Sequence, residues 1–232
     1  MDIIIAGIVQ AFQLIIQGDP EVLRIGVLSL GVSLSATVIS LLIGVSLGTA
    51  LGLTRFMGRR LLISLINTGM GAPPVVVGLA VTIFFWRNGP LGLLHMLYTP
   101  QAMIIAQCLI SLPIITGFTI ASVQQVDPKL RLQMLALGAS RPQLLWLILK
   151  ETRLPLLAAV MAGFGAIISE VGASMMVGGN IKDETRVFTT AIVQETGKGE
   201  FGLAIALSII LMLLVFLVNL VLTSAQQRSK LQ

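Results

Sequence analysis

Residues 126–155 read VDPKLRLQMLALGASRPQLLWLILKETRLP, a charged, helix-prone island between apolar runs. Asp127 followed by Pro128 marks a helix start, because the aspartate side chain accepts from free backbone N–H groups and proline is tolerated in the first turn. Gly138 supplies a residue that enters the left-handed conformation at no steric cost and ends that helix. Ser140 and Pro142 then open a second one. The apolar residues Leu130, Met134 and Leu137, then Leu144, Leu145 and Ile148, recur at helical spacing, so each piece has a face to bury. The reading is helix, sharp turn, helix, with something else covering the apolar faces.

Around this island the chain is unlike a soluble protein. Of its 232 residues 56% are hydrophobic and only 11% charged, and its mean hydropathy is +0.97, whereas about 25% charged is usual for soluble domains. This composition points to a multi-pass protein of the cell membrane in contact with lipid. A net charge of +5 would suggest nucleic acid in a soluble chain, but here Lys and Arg sit in loops beside apolar runs, so no nucleic-acid partner is expected. The single cysteine, Cys108, lies in an apolar run. It has no partner for an intrachain disulfide or a metal site and reads as a small buried hydrophobe.

Uncharged stretches delimit spans at 25–54, 61–86, 101–123, 154–181 (Glu170 excepted) and 201–227. The expected fold is an all-α membrane protein of about five transmembrane helices, with its termini on opposite sides. One side carries ten basic residues, among them Arg55, Arg59, Arg60, Arg131 and Lys150, against Asp127 and Glu151, a net +8. The other carries five basic residues against seven acidic ones, a net −2. The positive-inside rule then puts the island and the C-terminus in the cytoplasm and the N-terminus outside. Residues 3–16 are apolar but shorter than the roughly 20 residues that span a bilayer, and no secretory signal precedes them. The organisation expected is an interfacial or flank-packed segment over 1–21, one membrane domain over 22–225 and a cytoplasmic tail over 226–232, with no internal repeat.

Three features inside or beside the spans carry candidate chemistry. Pro73 and Pro74 remove two backbone donors from the second span, which must kink or break there. Freed carbonyls at that depth need protein or a water-filled cavity, so this is either a face of a pathway or a packing kink. The fourth span holds Gly163, Ala166, Ser169, Glu170, Gly172 and Ala173, small or polar residues that share one broad face if the helix is continuous. Glu170 is the one ionisable residue well inside a span; its carboxylate must face protein or water, either lining a path or fixing the packing of a neighbour. Beyond the helix end at Gly178 and Gly179, Asn180 opens a polar stretch over 180–200. There Val187, Phe188, Ala191 and Ile192 have the spacing of a short helix lying at the outer face. His95 reads as interfacial.

Chemistry of the chain's own is missing from the sequence. It has no phosphate-binding glycine loop, no metal-ligand spacing and no nucleophile with a nearby histidine. No catalytic residue, metal or bound cofactor is expected, and a membrane path with a structured loop but no engine calls for a driving partner.

The island resembles the cytoplasmic coupling loop of type I ABC-importer permeases, in which a glycine separates two short helices that dock on the ATPase subunit. The match lies in Leu135-Ala136-Leu137-Gly138-Ala139-Ser140, followed by Leu144 to Leu149 and by Leu154-Pro155. The Glu-Ala-Ala that names this loop is replaced by Leu132-Gln133-Met134. Similarity to the molybdate and tungstate branch extends over about residues 22 to 225. It rests on Ala72-Pro73-Pro74-Val75-Val76-Val77-Gly78, on Ser169-Glu170-Val171-Gly172-Ala173 with Gly178-Gly179-Asn180-Ile181, and on the tungstate-like run from Thr185-Arg186 to Lys198-Gly199-Glu200-Phe201. The resemblance implies a tungstate permease subunit acting as a pair of identical chains. It also implies separate ATPase subunits that hold ATP and Mg, and an extracytoplasmic oxyanion-binding protein. Leu132, Ala136, Leu137, Gly138, Ala139, Ser140 and Pro142 would couple to the ATPase, while Pro73, Pro74, Ser169, Glu170, Gly172 and Asn180 would line or gate the path. Molybdate or sulfate are rival cargoes. An ion-gradient-driven transporter with Glu170 as proton carrier is the rival class, and a membrane enzyme the third.

Overall fold

Asp19 accepts hydrogen bonds from the backbone N–H groups of Glu21 and Val22 at 2.9 and 3.0 Å, and Pro20 takes the first turn of the longest helix. That local arrangement recurs with variations at several helix starts in the computed structural model, which describes residues 2–228. A short helix α1 (Asp2–Gln17) precedes α2 (Pro20–Leu53); then come α3 (Arg59–Met70), α4 (Pro74–Phe85) and a 3-10 turn at Gly92–Leu94. Thr99 and Pro100 open α5 (Pro100–Gln124). The island forms α6 (Pro128–Ala136) and α7 (Arg141–Glu151), followed by α8 (Arg153–Ile168), α9 (Gly172–Gly178), α10 (Phe188–Lys198) and α11 (Phe201–Arg228). No strand occurs among the described residues. Of the expected tail, 229–232 lie outside them.

The spine is a parallel pairing of α2 with α5. Ser33 donates to Gln107 Oε1 at 3.2 Å and the Ser40 and Ser111 hydroxyls are 2.6 Å apart. Further along, Gly44 faces Ile115, Gly48 faces Thr119 and Gly52 faces Val123. Each step of four in one helix is met by a step of four in the other, the small-xxx-small approach of membrane helices. At Gly48 a Cβ would sit 2.5 Å from the Thr119 side chain, so the contact tolerates no larger residue. At 34 residues and 1.5 Å per residue α2 is about 51 Å long, so it projects beyond a hydrocarbon core of about 30 Å.

Among the described residues three helices are long and apolar enough to cross a membrane, and two further pairs qualify together: α3 with α4, bent by 103°, and α8 with α9, bent by 59°. The bent pairs run from one end of the spine to the other. Arg59 Nε donates to Leu51 O where α2 ends, and Phe85 at the end of α4 packs with Ala102 where α5 begins. For the second pair, the start of α8 meets α11 through Gln226 Nε2 on Leu154 O, and Gly178 lies on Met103 near the start of α5. Counting each bent pair as one span gives the five expected spans among the described residues, two of them broken.

The break in α8–α9 corrects the reading of 154–181 as one continuous helix. Ser169, Glu170 and Val171 leave the helix, so Gly163 and Ala166 belong to a different segment from Gly172 and Ala173 and form no common face with them. The break at Pro73 follows the expected chemistry. Over 180–200, Val187 opens α10, which buries Phe188, Thr189, Thr190 and Ala191 against α2 and α11. The α1 helix lies across the first turns of α11, where Gly7 abuts Ile205.

Candidate functional site

The two halves of the candidate site lie at different levels of the molecule. The first is the tip formed by α6, Gly138 and α7. Asp127 caps α6 by accepting from Lys129 N–H at 2.8 Å. At the other end Ala139 N–H donates to Met134 O and Gly138 N–H to Leu135 O, both at 3.0 Å, with Gly138 at φ 81°. That pair of bonds around a left-handed glycine is a Schellman stop. Ser140 begins α7 with its N–H and its hydroxyl both donating to Gln143 Oε1, at 2.8 and 2.9 Å, and Pro142 fills the first turn.

One face of this unit is buried. Met134, Leu144 and Ile148 pack with Leu53, Val123 and Val126, the ends of α2 and α5. Leu137 does not join them: it is 82% exposed, because it is the C-cap of α6, where the backbone already leaves the helical path and the i, i+4, i+7 stripe ends. Leu145 also stays outside. Leu132, Leu135 and Leu137 instead form an uncovered apolar edge on the tip, with Ala136, Gly138 and Ser140 exposed beside them and Ala139 partly covered.

The second half lies where the two broken spans meet, a juxtaposition that periodicity alone does not reveal. A Cβ on Gly78 of α4 would lie 2.7 Å from the Ala173 Cα, and one on Gly172 would lie 2.6 Å from the Val75 side chain. Glycines at these two positions thus let α4, which opens at Pro74 just after Pro73, lie directly on α9. Glu170 Oε1 accepts from Ala173 N–H at 2.9 Å, so its carboxylate covers an orphan donor at the start of α9. Thr189 Oγ1 of α10 donates to Glu170 O at 2.8 Å. Ser169 turns its hydroxyl back to Gly165 O at 2.8 Å and is exposed. At the far end of α9, Asn180 adopts φ 53° and its Nδ2 donates to Gln194 Oε1 at 2.8 Å.

Thus α10 holds both ends of α9, by Thr189 and by Gln194. Gln194 was missed by the sequence reading, since a contact across 14 residues from a helix to a turn has no periodic signature. The Ser33–Gln107 pair beside Glu170 was missed for the same reason, and it lines a small recess with Ser29, Glu170 and Thr189. His95 is exposed at φ 48° as the C-cap of the 3-10 turn. Cys108 is half-buried, its Sγ 3.5 Å from Ala36 O.

At the end of the molecule where α2 begins, charges are paired. Glu21 binds Lys182 at 2.8 Å and Arg186 at 3.1 Å, and Arg24 binds Asp183. The hydrogen bond to Glu21 holds the Lys182 ammonium above its ordinary pKa.

The pattern of the family described as binding-protein-dependent transport system inner membrane component matches residues 22–230. The chain belongs to this family. This inner membrane component is 39% identical over 227 residues to the tungstate uptake system permease protein TupB of Peptoclostridium acidaminophilum, an alignment covering 98% of this chain and all of that one. It is 40% identical over 196 residues to a probable anion ABC transporter permease protein of Haloferax volcanii, covering 82% and 84% of the two chains. Molybdenum and sulfate transport permeases match at lower identity. Its fold is that of the inward-facing MetNI methionine ABC transporter chain, with a TM-score of 0.74 at 16% identity over 90% of this chain and 96% of that one. As an inner membrane component with several apolar helices, it is a multi-pass membrane protein.

Proposed function

We propose that this chain is the membrane-spanning permease subunit of an ATP-driven tungstate importer. Two copies form the path, a binding protein delivers the oxyanion from outside, and hydrolysis takes place on separate ATPase subunits that hold ATP and Mg. The chain itself has no catalytic role in this reading. The observation that carries it is the tip: a capped helix–Gly138–helix unit whose inner face grips the ends of α2 and α5 and whose outer edge leaves Leu132, Leu135 and Leu137 uncovered. An apolar edge on a well-fixed tip is a docking surface for a partner. For the cargo, support comes from the identity along the whole tungstate relative.

The geometry also supplies a transmission route. Because α6 and α7 pack on Leu53 and Val123, and Thr152 both ends α7 and starts α8, movement of a docked ATPase displaces α2, α5 and α8 together. Rigid displacement of packed helices is a standard route to alternating openings. The α4–α9 layer, built of two short helices joined to their spans by breaks, is where such a displacement finds a joint, and Pro73, Pro74, Ser169, Glu170, Gly172 and Asn180 lie at its corners. ATP-dependent tungstate accumulation in vesicles holding permease, ATPase and binding protein tests the whole reading. Unchanged tungstate uptake by cells lacking this chain would overturn it, and accumulation of molybdate or sulfate in preference to tungstate would change the cargo.

A further inference from the structure

At the end that carries α6 and α7 the transport reading leaves a cavity of about 400 Å3 unused. Leu53, Val126 and Pro128 give it an apolar wall above the buried Val123 and Ile148, and Arg55, Arg59 and Arg131 give it a basic rim. The three arginines come from the α2–α3 loop, from α3 and from α6, and the fold brings them together. Arg59 is already oriented: its Nε donates to Leu51 O in the last turn of α2 at 2.7 Å, which leaves its Nη groups without a partner among the described residues. Arg55 and Arg131 make neither hydrogen bond nor ion pair among the described residues. Asp127 shares the cavity, but its carboxylate caps α6 through Lys129 N–H and forms no ion pair there. The contrast with the opposite end is plain, where Glu21 and Asp183 take up Arg24, Lys182 and Arg186.

Three arginines on the rim of one cavity, beside an apolar wall, match a phosphate carried on a hydrocarbon-bearing body. Guanidinium forks bind phosphate oxygens by paired, charge-assisted hydrogen bonds. The cavity lies where Gly52 meets Val123, at the ends of two spanning helices. We propose that this cavity binds the phosphate of an anionic phospholipid, with its glycerol and upper chain carbons against Leu53, Val126 and Pro128. The proposal rests on the reading above that this end faces the cytoplasm, where basic pockets between membrane helices meet anionic lipid. The bound lipid would tie the α2–α3 loop to the first turn of α6, bracing the tip from behind.

The test uses the full chain, delipidated in neutral detergent and titrated with phosphatidylglycerol or phosphatidylcholine under native mass spectrometry. Phosphatidylglycerol is expected to bind at least about tenfold more tightly than phosphatidylcholine. Arg55→Gln with Arg131→Gln should remove about tenfold or more of that affinity, Arg55→Lys with Arg131→Lys should keep most of it, and Arg24→Gln at the far end should leave it unchanged. If the double glutamine variant misfolds, Arg131→Gln alone carries the comparison. Equal binding of the two lipids, or unaltered binding by a folded Arg131→Gln, overturns the proposal. So does displacement of the lipid by millimolar phosphate or tungstate, which would make this a free-oxyanion site. Exclusion of the lipid by the ATPase subunit also overturns it, since the arginines would then face a protein partner. Neither ATP nor transport enters the readout, so failure here leaves the importer reading untouched.

Discussion

Replacing Glu170 separates a carboxylate that holds the fold from one that carries a proton. In the structure one oxygen accepts from Ala173 N–H at 2.9 Å, and the backbone carbonyl accepts from Thr189. Glu170→Gln keeps an oxygen that can accept the same bond and loses only the attraction of a negative charge to a helix start, about 0.3–1 kcal/mol at most and less for a helix of seven residues. Glu170→Ala removes the acceptor and leaves the Ala173 N–H without a partner, a loss of about 0.5–2 kcal/mol by analogy with helix caps. The Thr189 bond goes to the backbone and survives both changes. The assay is ATP-driven tungstate uptake by the reconstituted complex, read beside thermal unfolding of the same preparation. Glu170→Gln is expected to retain uptake within about twofold, whereas Glu170→Ala is expected to lower the melting midpoint by about 2–4 °C per kcal/mol lost and to slow uptake. A glutamine variant that melts like the parent yet transports nothing would refute the reasoning, because charge or proton exchange at Glu170 would then be the function.

Gly138 sits at φ 81° with no atom near the place a Cβ would occupy, so substitution there reports backbone strain alone, about 1–2 kcal/mol for an L residue. Uptake per ATP hydrolysed should fall in the order Gly, Asn, Ala, Val, and full coupling in Gly138→Val would contradict the assignment of the turn. Gly78→Ala would place a methyl 2.7 Å from the Ala173 backbone and should destabilise by about 1–3 kcal/mol. Gly165→Ala, which meets nothing, should not, and equal melting of the two would show that α4 and α9 are not in close contact. Leu137→Asp, at an 82% exposed position, should change unfolding by less than about 0.5 kcal/mol. It should also weaken copurification of the ATPase by about tenfold, and undiminished copurification would remove the tip as the docking surface.

How much was legible in the sequence divides along the reach of each interaction. Caps and stops are local: Asp127 with Pro128, Gly138 and Ser140 with Pro142 each act within a few residues, so helix, turn and helix could be read in order. The break at Pro73 and Pro74 was equally legible, since proline loses its donor wherever it stands. Long uncharged runs likewise determined that the chain crosses a membrane and roughly where. Leu137 marks the limit of periodicity, which assigns a face only while the backbone stays helical.

What tertiary structure alone decided are the contacts made across distance. Ser169-Glu170-Val171 contains nothing that forbids a helix; it opens because Glu170 caps Ala173 and Thr189 reaches back over 19 residues to its carbonyl. Gly44, Gly48 and Gly52 announce a close neighbour by their spacing, but only the packed structure names it as α5 and makes the pairing parallel. The meeting of Gly78 with Ala173 and the convergence of Arg55, Arg59 and Arg131 belong to the same class. Sequence determines such features only through the fold as a whole, because the groups that satisfy one another are brought together by packing rather than by their order along the chain.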